Sequence, residues 1–340
     1  MGISRRAAKS APASVFAAFI AVTAIFAFFG ASAFAQNPPQ IPPPYGTSQS
    51  NRYTLKKNVD MVRLPVTIVD KNGNFVPGLT ENDFRVLENN TPQKISAFTH
   101  ADIPISVGLV IDNSGSMRSK RARVNAAAMT FVQTSNPQDQ MFVVNFNDEY
   151  YLDMDEDFTN DPKVLKAALE RIDSRGGTAL YDALLGSMSH LKKGTREKKV
   201  LLVVTDGVDH DSAPGHTLSY TVQKVQQSDV VIYAVGLFTR DDDSREEIRQ
   251  GKNALLALTA ASGGEAYFPK TVDEADEICT RIAQDIRSQY MVGYYPLNTA
   301  RDGAFRTVKV QVSGVRGAGK LVVRTRPGYY APAAQPVSGN

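Results

Sequence analysis

Four short apolar runs, rich in β-branched residues, constrain this chain more than any other feature: residues 105–111, 142–146, 200–204 and 230–235. Each is too short for a core helix and too uniformly apolar for a strand with one wet face, so each reads as a strand covered on both sides. Stripes with helical spacing lie between and after them. Residues 124–132 carry one. Val164-Leu165, Ala168-Leu169 and Ile172 fall at i, i+1, i+4, i+5 and i+8, and residues 179–191 give a third helix. Further helices are read over 218–227, 254–261 and 272–288. Apolar strands alternating with helices predict an α/β domain with a doubly wound, mostly parallel sheet over residues 102–289.

The flanks have a different period. Val62, Leu64, Val66 and Ile68 alternate with polar or small residues, and an Asn72-Gly73 turn follows. Residues 84–88 and 94–98 read as two short strands with Asn89-Asn90 as the turn between them, which makes 53–101 a small β module. Strand patterns return over 290–295, 306–312 and 320–326, within a β segment spanning 290–331. Each flank alone has about three strands and a marginal core. The two flanks are therefore expected to pair into one small β-sandwich-like domain, with the α/β domain inserted between them. Three separate beads are the alternative.

The chain's first residues belong to no core. Arg5, Arg6 and Lys9 precede an apolar run over 15–29, and Ala33-Phe34-Ala35 places small residues just before Gln36. This is the layout of a cleaved secretory signal peptide over 1–35, with an uncleaved anchor as the alternative. A Pro-rich leader follows over 36–52, and 332–340 reads as a disordered tail. The product is expected in the periplasm or at the cell surface, or secreted, with no stable membrane span after cleavage. The net charge of +3, from 38 basic and 35 acidic side chains, is supplied entirely by the three basic residues ahead of Gln36. A mature chain near neutrality offers no field for nucleic acid or an anionic membrane. A single cysteine forbids an internal disulfide, and Cys279 shares helical spacing with Ile282, which reads as core.

The chemistry sits at the ends of the apolar runs. Asp112-Asn113-Ser114-Gly115-Ser116 follows the first buried strand directly, and ligands of open α/β sheets bind at the carboxyl ends of such strands. Asp112, Ser114 and Ser116 supply one carboxylate and two hydroxyls, hard donors that suit Mg²⁺, Mn²⁺ or Ca²⁺ and not zinc or copper. Three ligands do not fill the shell. Thr178, after Gly176-Gly177, and Asp206, after the 200–204 run, stand where they can add a hydroxyl and a second carboxylate. Ser116 has a blander reading as a helix cap.

The pattern resembles the von Willebrand factor A domain with an intact metal-ion-dependent adhesion site, as in integrin inserted domains. Asp112, Ser114, Ser116, Thr178 and Asp206 match that site's Asp-x-Ser-x-Ser, distant Thr and distant Asp in order. The flanks (residues 66–73, 79–84, 93–95 and 326–330) resemble a secreted bacterial branch described as VWFA-related, of acidobacterial type. The resemblance implies a divalent cation, Mg²⁺ foremost, with an open position for an Asp or Glu of a protein partner. It further implies direct coordination by Thr178 in the high-affinity state, Asp206 acting through water, and movement of the helix over 272–288. The expected function is a non-enzymatic, metal-dependent protein-binding module for adhesion or assembly. Its rivals are a structural subunit of an envelope or secretion assembly with a purely structural metal, and a metal-dependent hydrolase. No Gly-x-Ser-x-Gly elbow is present, and Ser and Thr ligands supply no general base. Asp209, His210, Asp211 and His216 read as a ligand-facing loop and not a second metal site. Asp241-Asp242-Asp243 reads as a solvated turn, the acidic stretch 145–157 as an exposed loop with a short strand near the metal face, and the tyrosine pairs 294–295 and 329–330 as strand residues.

Overall fold

The computed structural model describes residues 60–171, 174–238, 244–313 and 320–334. The signal peptide, the leader, the first residues of the N-terminal β module, Asp241 to Asp243 and the tail beyond 334 lie outside the described residues. No helix among the described residues is long and apolar enough to cross a membrane.

Four strands open the fold: β1 (Val62–Val69), β2 (Phe84–Glu88), β3 (Thr91–Gln93) and β4 (Ile95–Thr99). The chain then runs through β5 (Ile105–Asp112), α1 (Arg121–Thr134), β6 (Gln140–Phe146), β7 (Tyr150–Leu152), α2 (Pro162–Leu169) and α3 (Leu180–Leu191). It continues through β8 (Lys198–Thr205), α4 (Leu218–Gln226), β9 (Val230–Gly236), α5 (Arg245–Ser262), β10 (Ala266–Tyr267) and α6 (Ala275–Arg287). Strands β11 (Tyr290–Tyr294), β12 (Phe305–Val312), β13 (Val322–Arg324) and β14 (Gly328–Tyr330) close it.

The middle strands form one sheet in the order β10-β9-β8-β5-β6-β7, parallel except for the β7 edge. Every residue of β5 and of β9 is buried, which requires cover on both faces. Helix α1 packs against α2 and α6, and α4 packs against α3 and α5. The mostly parallel α/β sheet read from the four apolar runs is what the chain forms. After β5 the chain steps to β6 on one side and later returns to β8 on the other, so connections diverge at the carboxyl ends of β5 and β8. That divergence is the switch point where α/β sheets open a crevice.

The flanking strands interleave. One sheet has the order β13-β1-β11-β4 and the other β14-β12-β2-β3, so each contains strands from both ends of the chain. Leu64, Val66, Ile68, Val86, Tyr290, Val292 and Tyr294 are among the side chains of a single buried cluster that both sheets share. Two details depart from the sequence reading. Asn89 and Asn90 do form a turn, with positive φ at both, but it joins β2 to β3, and residues 95–99 cross into the other sheet. Helix α5 begins at Arg245, nine residues before the apolar stripe at 254, because Ser244 and Glu247 form a reciprocal capping box.

Candidate metal centre

The last residue of β5 is Asp112, and its side chain is completely buried. It is held from two directions: Ser114 N–H donates to Oδ1 at 2.8 Å, and Thr205 Oγ1 donates to Oδ2 at 2.5 Å. Residues Gly115–Met117 then make one tight 3₁₀ turn, pinned beneath by the fully buried Met117. The turn brings Ser114 Oγ to 3.1 Å from Ser116 Oγ, and Ser116 Oγ donates to Asp206 Oδ1 at 2.8 Å. Ser116 is therefore no cap: α1 starts at Arg121, with Lys120 at the cap position and no side-chain cap bond.

Thr178 reaches the same place from another loop. Gly115 N–H donates to Gly176 O at 3.1 Å, and Arg175 N–H donates to Asn113 O at 2.9 Å, which lace the 175–178 loop to the Asp112 turn. Gly176 has φ +73, and a Cβ there would strike the Asp148 carboxylate, so this position requires glycine. Asp148 accepts the Gly177 N–H, and Asp211 accepts the Thr178 N–H at 2.7 Å. The Thr178 hydroxyl lies 3.1 Å from where a Cβ on Gly207 would stand, one residue from Asp206. Asp112, Ser114, Ser116 and Asp206 are thus joined by direct contacts, and Thr178 stands beside them.

The residues in contact offer two carboxylates and two hydroxyls, hard oxygen donors of the kind that suits Mg²⁺, Mn²⁺ or Ca²⁺. Burial, and next the charge of Asp206, push the Asp112 carboxyl up to about 6, as expected where two carboxylates are gathered with too little positive charge between them. The Asn113 amide is also fully buried, with no partner for Oδ1 or Nδ2 among the described residues. No group of three or more His, Cys, Asp or Glu side chains placed to hold a metal ion occurs among the described residues, here or elsewhere, and this site's donors are two carboxylates with hydroxyls.

Several functional contacts were not read from the sequence. Thr205, the last residue of the apolar strand β8, turns its hydroxyl onto Asp112. Lys120 Nζ lies 2.6 Å from Asp206 Oδ2 in a buried ion pair. Asp148, from the acidic stretch, and Asp211, from the loop after β8, brace the backbone that carries Thr178. Asp209 accepts the Tyr181 N–H, and His216 Nδ1 pairs with Asp182. These side chains fix loops around the centre. Cys279 is buried, and its thiol is pushed up to about 12 by burial, which makes it a core residue.

Residues 107–208 match the sequence profile of the von Willebrand factor type A domain. The chain contains such a domain. The match ends two residues after Asp206, so it spans β5 to β8 and all five candidate ligands. No curated protein sequence matches the chain. Among solved structures the chain is similar to an aerotolerance-related membrane protein from Bacteroides fragilis. That likeness has 17% identity and a TM-score of 0.43, and covers 54% of this chain and 98% of that one. The vWF domain of the type V pili tip protein Mfa5 from Porphyromonas gingivalis is similar at 14% identity and a TM-score of 0.46, over 54% and 95% of the two chains. A von Willebrand factor type A protein from Catenulispora acidiphila is similar at 14% identity and a TM-score of 0.45, over 81% and 75%.

Proposed function

We propose that this chain is an exported, non-enzymatic module that binds a protein partner through a divalent cation on its A domain. Asp112, Ser114, Ser116, Thr178 and Asp206 would hold the ion, Mg²⁺ before Mn²⁺ or Ca²⁺. The observation that carries the reading is the gathering of two carboxylates and two hydroxyls, hard oxygen donors, at the carboxyl ends of β5 and β8. A cation held by this set keeps a position open, and a partner's Asp or Glu is the hard anionic donor that fits it.

Binding is preferred to catalysis on the sequence, which carries no Gly-x-Ser-x-Gly elbow. Export rests on the charged and apolar pattern of residues 1–35, and the neutral mature chain fits a protein partner better than nucleic acid or a lipid surface. The periplasm and the cell surface are the compartments this allows.

Two measurements test the proposal. Mg²⁺ at 100 times its dissociation constant should stabilise the protein by about 2.7 kcal/mol, and Asp112→Ala should abolish that gain. A pull-down from the envelope fraction of the source cells should retain a partner with Mg²⁺ and lose it with EDTA or with Asp112→Ala. Recovery of the same proteins under all three conditions would sink metal-bridged binding. A chelator that lowers the melting temperature while the partner stays bound would make the ion structural.

A further inference from the structure

We propose that the cavity between the A domain and β14 binds a small molecule carrying two or more phosphate or carboxylate groups. The cavity has a volume of about 540 Å³ and lies among the ends of α3 and α4, the start of β8 and β14. That volume falls within the range of small-molecule sites. Lys199, on its wall, precedes Asp206 by the length of β8. At ~3.3 Å per residue this puts about 20 Å between the cavity and the metal centre, at opposite ends of the sheet. A ligand here would be independent of the cation.

Lys192, Lys199, Lys224 and Arg326 line the cavity, against a single carboxylate, Asp229. Elsewhere the chain pairs its surface cations with acids: Arg63 with Glu197, Lys193 with Asp157, Arg249 with Glu246 and Arg301 with Asp60. Around this cavity it does not. Among the described residues, Lys192 and Lys199 make no side-chain hydrogen bond or ion pair, and Lys224 Nζ has only the Tyr220 ring, 5.1 Å from its centroid. Arg326 meets two carbonyls and no acid: Nη1 donates to Ser228 O at 3.3 Å and Nη2 to Arg63 O at 3.0 Å, with the guanidinium 5.5 Å from the centre of the Tyr329 ring. Its Nε is buried without a partner among the described residues. A partly desolvated guanidinium in that setting favours an anion beside it. Two of the four cations have a reason to be there without any ligand. Lys192 ends α3 and Lys224 lies in the last turn of α4, where a helix terminus favours positive charge. Lys199 and Arg326 stand at no helix end. Four cations against one acid exceed what a single anionic group can neutralise, which sets the ligand at two or more. The field is confined to a cavity in a chain near neutrality, which suits a small ligand over nucleic acid or a membrane.

Calorimetric titration of the whole chain in divalent-free buffer at low salt, with pyrophosphate and citrate as probes, tests the site. At least one of the two should bind the wild type. Lys199→Gln and Lys192→Gln remove side chains that have no bonds to lose, and each should weaken binding by ~10-fold, the loss expected for one charged hydrogen bond. Lys309→Gln, at an exposed position of β12 outside the cavity, should leave it unchanged. Binding of pyrophosphate alone would make the ligand a phosphate compound, and binding of citrate alone a polycarboxylate. The site is overturned if neither probe binds, if only poly-glutamate binds, or if Lys199→Gln and Lys309→Gln retain equal affinity. Stabilisation by Mg²⁺ should be the same in Lys199→Gln as in the wild type, so the cavity and the metal centre can fail separately.

Discussion

Asp112 shows how a candidate ligand depends on a neighbour that the Asp-x-Ser-x-Ser pattern does not contain. Thr205 donates to Asp112 Oδ2 and also accepts the Gly207 N–H at 3.1 Å, so one hydroxyl steadies both strand ends. Thr205→Val keeps the shape, removes both bonds and should cost about 1–3 kcal/mol, read from urea melts in EDTA. An unchanged midpoint would mean that the hydroxyl is dispensable. Lys198 offers a second test at this scale. It is buried, its Nζ donates to Ile286 O, and burial drives its pKa down to about 7, against the opposing charges of Asp139, Asp102 and Asp285. The unfolded chain keeps that proton up to about pH 10.4. Between pH 7 and 9.5 the unfolded state therefore binds more protons, and stability should rise with pH by at most about 1.4 kcal/mol per unit. Lys198→Met should flatten that rise relative to wild type. Asp112, Ser114, Ser116 and Asp206 were legible because oxygen-bearing residues directly after an apolar run have few places to go but the switch point. Lys120 was not, because it lies among Arg118, Arg121 and Arg123, and nothing in a basic run says which member turns inward.

The same contrast holds for elements. Strands β5, β6, β8 and β9 were legible because burial on both faces leaves apolar runs interrupted by few polar residues, Ser106 in the first and Asn145 in the second. Strands β3 and β10, of three and two residues, hold their places through pairing with longer neighbours, and so short a piece has no period to read, whereas the short strand read within 145–157 is β7. The first half of α5 was missed for the opposite reason: Arg245, Glu246 and Glu247 carry no apolar stripe, and the capping box at Ser244 was the signal available. The β2–β3 turn was seen but joined to the wrong strand, since a turn signal names its own position and not its partner. Its two asparagines are not equivalent. Asn89 Oδ1 accepts both the backbone N–H and the hydroxyl of Thr307, at 2.9 and 3.1 Å, whereas Asn90 is needed for its backbone alone, at φ 63. Asn90→Gly should therefore be neutral within about 0.5 kcal/mol, while Asn90→Val should cost about 1–2 kcal/mol because a β-branched residue resists left-handed φ. Equal thermal stability of the two variants would show that the turn is not held in this conformation.

At the scale of the molecule, the A domain and the β strands around it are joined by buried polar contacts as well as by chain continuity. Gln289 Nε2 donates to Thr67 Oγ1 at 3.1 Å and to the Tyr233 hydroxyl at 3.0 Å, linking β1 to β9. Arg324 of β13 pairs with Glu265 and, at 2.9 Å, with Asp285 of α6. Inside the sandwich, Glu88 and Arg306 are each 2% exposed and paired at 3.5 Å, and the hydroxyls of Tyr294 and Tyr329 both donate to Glu88 Oε2 at 2.8 Å. Strands from both ends of the chain meet at that one carboxylate. The wild type should consequently unfold in a single calorimetric transition. Arg306→Met would leave the Glu88 charge buried without its cation, a change worth about 3–5 kcal/mol. Because the loss falls on the sandwich and not on the β5–β8 switch point, the sandwich should melt first as a separate low-temperature transition. The later transition should keep its upward shift with Mg²⁺. A variant that still melts in one step at the wild-type temperature would show that the Glu88 network does not hold the two ends of the chain together.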